Sequence, residues 1–227
     1  GEPGENERVD LRAQYTRTEH SRRTMKEGRA IEQLKRALRR LPGVGPKTAQ
    51  RMAFYLLERD RDGASQLAQA LTEAVATIKH CARCNNFSEE DLCAICASGK
   101  RDESLLCVVE TPADLAIIEQ AGAFSGYYLV LMGHLSPLDG IGPDDLAVQH
   151  LLKVLSDYPV QEVILATNLT VEGEATADYL SDLMALSEIQ ISRLARGVPV
   201  GGELEYMDSN TLNQAFSDRR TARVELT

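Results

Sequence analysis

The sequence predicts an α/β multidomain protein with three parts in series: a paired-helix region, a small four-cysteine module and a larger α/β sheet domain. Three observations carry this. Apolar residues recur at helical spacing on both sides of the stretch Leu41 to Lys47, "LPGVGPK", as Ile31, Leu34, Leu38 and Leu41 before it and Ala49, Met52, Ala53 and Leu56 after it. Four of the five cysteines fall within sixteen residues as Cys81-x2-Cys84-x8-Cys93-x2-Cys96. From Ser104 onward, "LLCVVE", "YYLVLM" and "EVILAT" are short β-rich runs separated by helical patterns.

The parts are read as a paired-helix region over 25–79, with further helix from Ser65 to Lys79, a cysteine module over 80–97, an α/β domain over 104–200 and a C-terminal segment over 201–227. Residues 1–24 are polar, lack periodicity and precede a methionine, so they read as a disordered or non-native extension and receive no function. In the α/β domain, alternation of strand and helix predicts a parallel or mixed sheet covered on both faces. Functional groups are then expected at the carboxyl ends of its strands.

The 227 residues are 43% hydrophobic, enough for a core, and carry a net charge of -9. That average hides a split. Met25 to Arg59 holds nine Lys and Arg against three Asp and Glu, whereas Ser104 to Arg196 holds three against thirteen. A basic head on an acidic body points to nucleic acid. No apolar run approaches the roughly 20 residues of a membrane helix, and the N-terminal stretch has no hydrophobic signal core, so a cytoplasmic location is expected.

The first backbone N–H groups of a helix lack intrahelical partners and sit at the positive end of its dipole, so the start of the second helix suits a phosphate. Gly43 and Gly45 would let a sugar-phosphate backbone approach closely, and Pro46 fits the first helical turn. Lys47 and Arg51, one turn apart, add cations beside the same phosphate in a grip blind to base sequence. The plain alternative is a hairpin whose glycines serve only close packing; Arg36, Arg39 and Arg40 read as a solvated face.

Two Cys-x-x-Cys knuckles can supply four thiolates tetrahedrally, the arrangement of structural zinc with no open position for a catalytic water. Two disulfides or an iron–sulfur cluster are the rival uses of the same four residues. Cys107, within "LLCVV", reads as a small core residue. In the acidic body, Glu110 ends the first strand and Asp114 lies one turn into the next helix, while "EVILAT" runs into Glu172 and Glu174. Singly these are helix-start acids or surface charges; converging at strand ends, they would offer oxygen ligands for magnesium.

The stretch "LRRLPGVGPKTAQRMA" resembles the helix-hairpin-helix motif of DNA repair and replication proteins. The strand ending in Glu110, with a later acidic strand end, resembles the Toprim domain of topoisomerases, primases and related nucleases. In this order, with a four-cysteine zinc module between them, these parts resemble the bacterial recombination mediators of the RecR family. "LPGVGPKTAQRMAF", "CARCNNF", "CVVETPAD", "FSGYYLVLMGHLSPLDGIGPDD", "ILATNLTVEGEAT" and "GVPVGGELEYMD" all match it. The likeness runs from Met25 to about Arg223, which makes Met25 the expected natural start.

The resemblance implies DNA contact at Lys47 and Arg51, zinc at the four cysteines, and a Toprim acidic cluster of Glu110, Asp114, Glu172 and Glu174 for a partner or magnesium. It implies a non-enzymatic protein that works with RecO and RecF to load RecA on gapped or single-stranded DNA. The protomers are expected to form a ring, usually a homotetramer. Catalytic Toprim proteins place Asp-x-Asp where this chain has Ala166-Thr167-Asn168, which argues against the alternative, a magnesium-dependent nuclease or primase-like enzyme using Glu110 as general acid or base. A third reading is an adaptor that never touches DNA.

Overall fold

The structure, a computed structural model, describes residues 28–219. The extension read over residues 1–24 and the end of the C-terminal segment lie outside the described residues. The chain divides into two compact units between Val75 and Ala76.

The first unit is helical: α1 (Arg29–Leu38), α2 (Pro46–Glu58) and α3, which begins within it (Arg61–Thr77). Ala49 and Ala53 of α2 are fully buried, and small residues there let α1 pack closely against α2. Between them the chain turns through Gly43, whose φ of 76° lies in the left-handed region that side chains disfavour. The amide of Val44 donates to Leu41 O at 3.2 Å and tightens this turn. Helix α3 starts at Arg61, four residues before the expected Ser65. Asp60 supplies the reason: its carboxylate accepts from the amide of Gly63 at 2.9 Å, so the helix is capped earlier than the apolar pattern alone suggests.

The second unit holds a two-stranded antiparallel ribbon, β1 (Lys79–His80) with β2 (Phe87–Ser88), and a four-stranded parallel sheet. The sheet is built from β3 (Asp102–Val109), β4 (Gly126–Val130), β5 (Glu162–Leu165) and β6 (Gln190–Arg193), in the spatial order β4-β3-β5-β6. Cys107 pairs in register with Tyr128 on one side and Ile164 on the other. Crossovers run through α4 (Pro112–Ala121), α5 (Val148–Asp157) and α6 (Val171–Met184), and a final helix, α7 (Ser209–Ser217), follows.

Both faces of the sheet are covered, because alternate residues of β3 point to opposite sides. Leu106 and Val108 join Leu151 and Val154 of α5 and Leu180 of α6 in one cluster. Cys107 and Val109 join Leu115 and Ile118 of α4 in the other. Strand β6 is not among the runs that the sequence marks; at four residues, with only Ile191 apolar, it carries too short an alternation to stand out.

Candidate nucleic-acid interface, zinc module and strand-end cluster

Within the helical unit, Gly45 is the N-cap of α2 and Pro46 its first residue. No side chain caps this helix and its first turn holds no acid, so its amides and positive dipole end face outward unopposed. A Cβ placed on Gly43 or Gly45 would meet nothing within 4 Å, so packing is not what requires glycine at either position. Lys47 and Arg51 are both exposed, and neither takes part in any ion pair among the described residues. They line a shallow groove of about 460 Å³ along α2 with Phe54, Tyr55 and Arg59. Cations interleaved with exposed aromatic rings suit a nucleic-acid strand, its phosphates on the cations and its bases against the rings.

The four module cysteines are buried, unbridged, and have ligand atoms within 4.8 Å of one another. A zinc–sulfur distance of about 2.3 Å puts tetrahedral sulfurs about 3.8 Å apart, and Cys84 and Cys93 Sγ lie 3.6 Å apart. The residues fit a structural zinc ion. The first knuckle turns at Asn85, whose positive φ of 61° an asparagine tolerates, and the amide of Cys93 donates to Cys81 Sγ at 3.3 Å. A hydrogen bond from Cys96 pulls the Cys84 thiol down to about 6, whereas burial pushes Cys93 up to about 11. Cys107, alone in the sheet, is pushed up to about 12 by burial, as a core residue should be.

The module docks on the edge strand β4. The amide of Val130 donates to Cys84 O, and Asn85 Nδ2 donates to Val130 O, each at 2.9 Å. Arg83, inside the first knuckle, stacks its guanidinium on Tyr127 at 3.4 Å and on Tyr158 at 3.8 Å. Nothing in the spacing of the cysteines announces this residue's role.

Glu110 follows β3 directly and is 2% exposed. Its Oε1 accepts from the Asn168 amide at 2.7 Å, and its Oε2 accepts from Asn168 Nδ2 at 2.8 Å and lies 3.1 Å from His134 Nδ1. His134 arrives because Met132 and Gly133, both at positive φ, turn the chain back after β4, letting the Gly133 amide donate to Glu110 O.

The other three acids go elsewhere. Asp114 is the reciprocal half of the capping box that starts α4, bonded to Thr111 N at 2.9 Å and Thr111 Oγ1 at 2.7 Å. Glu172 and Glu174 lie in the first turn of α6 rather than at a strand end. Glu174 is held by Arg193 at 3.0 Å and Arg196 at 2.8 Å, two residues that no sequence motif marks. Among the described residues, the cysteines are the set whose ligand atoms come together; the four carboxylates do not converge into one. The physical reason is local: a cap and an ion pair claim two of the acids.

A helical hairpin with outward amides and free cations, a four-thiol module and an α/β unit with a buried acid at its central strand end define a nucleic-acid-handling protein of modular build. Matches to known families give the particular kind. The RecR helix-hairpin-helix family matches residues 31–75, the RecR four-cysteine zinc finger domain 78–98, the Toprim domain 104–195 and the RecR C-terminal family 197–220. The chain belongs to the RecR family, and with it to DNA repair and recombination. Among the described residues, no helix is long and apolar enough to cross a membrane.

Proposed function

We propose that this protein is a DNA-binding clamp of the cytoplasm that catalyses no reaction and acts with RecO and RecF to promote RecA loading on gapped or single-stranded DNA. The observation that carries the reading is the start of α2: uncapped amides behind two glycines with open space around them, flanked by the exposed, unpaired cations Lys47 and Arg51. One such hairpin is a weak grip, and several on one assembly act at high effective concentration.

A homotetramer supplies that multiplicity. The helical unit leaves Leu41, Tyr55 and Leu67 each about half exposed along an apolar groove of about 470 Å³, a face that association would cover. The acidic α/β unit offers Glu172 to a basic partner such as RecO and disfavours DNA away from the hairpins. Magnesium at the carboxylates is not carried into this reading, since Glu110 is already committed to three contacts.

The test is DNA binding across a salt series for wild type and Lys47→Ala/Arg51→Ala, with the mass of the assembly measured alongside. Wild type should be multimeric and show a steep salt slope. The double variant should lose about 1.4 to 1.8 of slope per engaged hairpin, from about 0.7 to 0.9 per phosphate contact. An unchanged affinity and slope would leave the hairpin as a packing device and favour an adaptor that never touches DNA.

A further inference from the structure

Open α/β sheets bind ligands beyond the carboxyl ends of strands, in the crevice where successive crossovers leave toward opposite faces. In this chain that place lies between β3 and β5. Helix α4 leaves β3 to pack with Cys107 and Val109, whereas α6 follows β5 onto the face of Leu106 and Val108. It is also where this chain carries Ala166-Thr167-Asn168 in place of the Asp-x-Asp expected of catalytic Toprim proteins.

Here protein fills the crevice. Asn168 approaches Glu110 with two N–H donors, one from its backbone and one from its side chain. The reverse orientation of the side-chain amide would set two acceptor oxygens against each other at 2.8 Å, so Glu110 Oε2 selects the orientation that presents the nitrogen. The far side is closed by the backbone of α6: a Cβ on Gly173 would come within 2.7 Å of Glu110 Oε1 and 2.2 Å of Asn168 O. Magnesium requires near-octahedral oxygens at about 2.0 to 2.1 Å and keeps several waters. A cation approaching Glu110 would meet the protons of an amide where a second carboxylate is needed. The residues do not fit the metal.

We propose that the Asn168 amide takes on Glu110 the place that a divalent cation takes in metal-dependent members of the fold, making Glu110 a positioning residue that ties the turn between β5 and α6 to β3. A buried carboxylate is stabilised by charge-assisted hydrogen bonds from its neighbours, here two from Asn168 with His134 Nδ1 3.1 Å from the same Oε2, and the bonds fix whatever carries the donors. The turn so fixed ends at Thr170, the N-cap of α6, and sets the direction in which Glu172 leaves the helix. That last consequence rests on the partner-docking reading above; the tie between Asn168 and Glu110 does not.

The test compares thermal melting of the zinc-loaded protein without and with increasing Mg²⁺, for wild type, Asn168→Asp, Glu110→Gln and Glu110→Gln/Asn168→Asp. The wild-type melting temperature should stay flat across the series. Asn168→Asp sets two carboxylates against each other and should melt lower without Mg²⁺, then rise as Mg²⁺ relieves the repulsion. Glu110→Gln should melt lower whatever the Mg²⁺. The double variant exchanges donor and acceptor across the same pair: the glutamine amide now at position 110 still accepts from the backbone N–H of position 168 and donates to the new carboxylate, so it should recover most of that loss. A wild type that responds to Mg²⁺, an Asn168→Asp variant that does not, or a double variant no better than Glu110→Gln would each overturn the proposal. No partner enters the measurement, so this tie and the docking reading fail separately.

Discussion

Glu172 and Glu174 stand two positions apart in the first turn of α6, and the sequence offers no way to tell them apart. Their surroundings do. Glu174 is gripped by Arg193 and Arg196, each about a quarter exposed or less, so removing it leaves Arg196 without its carboxylate and Arg193 with only the more distant Asp178, 3.7 Å away. The Glu172 carboxylate joins no hydrogen bond or ion pair among the described residues; only its backbone carbonyl is used, accepting from Thr176 Oγ1 at 2.7 Å. Glu174→Ala should therefore cost about 1 kcal/mol in urea unfolding, after allowance for solvent screening of a partly exposed pair. Glu172→Ala should leave unfolding within about 0.5 kcal/mol of wild type, as for a partly buried side chain whose carboxylate makes no polar contact among the described residues. On the partner-docking reading proposed above, it should also weaken binding of RecO in a salt-dependent way, which calorimetry at two ionic strengths would read. Equal effects of the two variants on unfolding would mean that the arginine grip contributes nothing to stability.

At the scale of elements, the hairpin between α1 and α2 separates two uses of glycine. The φ of 76° at Gly43 makes alanine there strained, at a cost of about 1 to 2 kcal/mol, whereas asparagine visits that region more readily. The space around its absent Cβ is open, which is the space a phosphate would use. Gly43→Ala should thus lose both stability and DNA affinity. Gly43→Asn should recover most of the stability while DNA affinity stays low; recovery of both would assign the glycine to turn geometry alone. This hairpin is legible in the sequence because Pro, Gly and helical periodicity are local signals, and so are the four cysteines and the three strongest strands. What escapes is what depends on distant neighbours. Arg193 and Arg196 meet Glu174 across about twenty residues of chain, His134 reaches Glu110 only through two positive-φ residues, and Asp114 looks like a metal ligand until its cap is visible. Strand β6 is too short for its period to speak.

In the α/β unit as a whole, the zinc module and the sheet behave as one structure. An edge strand exposes unpaired backbone groups that invite pairing with other chains. On β4 the amide and carbonyl of Val130 are taken by Cys84 and Asn85, while Arg83 wedges between the rings of Tyr127 and Tyr158. All four zinc-module cysteines share one buried cluster with Leu129 of β4 and Leu131 just after it. Loss of the metal should therefore reach beyond the module. Removing zinc, or Cys93→Ser, should lower the melting temperature by more than about 5 °C, since 1 kcal/mol is worth about 2 to 4 °C in a protein of this size. Light scattering should rise in parallel as the β4 edge opens. The pH dependence has a definite sign. Cys93 is held up to about 11 by burial and Cys96 is raised by its hydrogen bond to Cys84, so zinc must displace protons from these thiols to bind at neutral pH. Lowering the pH favours the protonated thiols, so zinc affinity, and the stability it supplies, should fall as the solution becomes more acidic. Zinc content measured beside melting at each pH checks this. A melting curve unmoved after verified zinc loss would show that the metal is not what holds the module on β4, leaving that to the Cys84 carbonyl, Asn85 and Arg83.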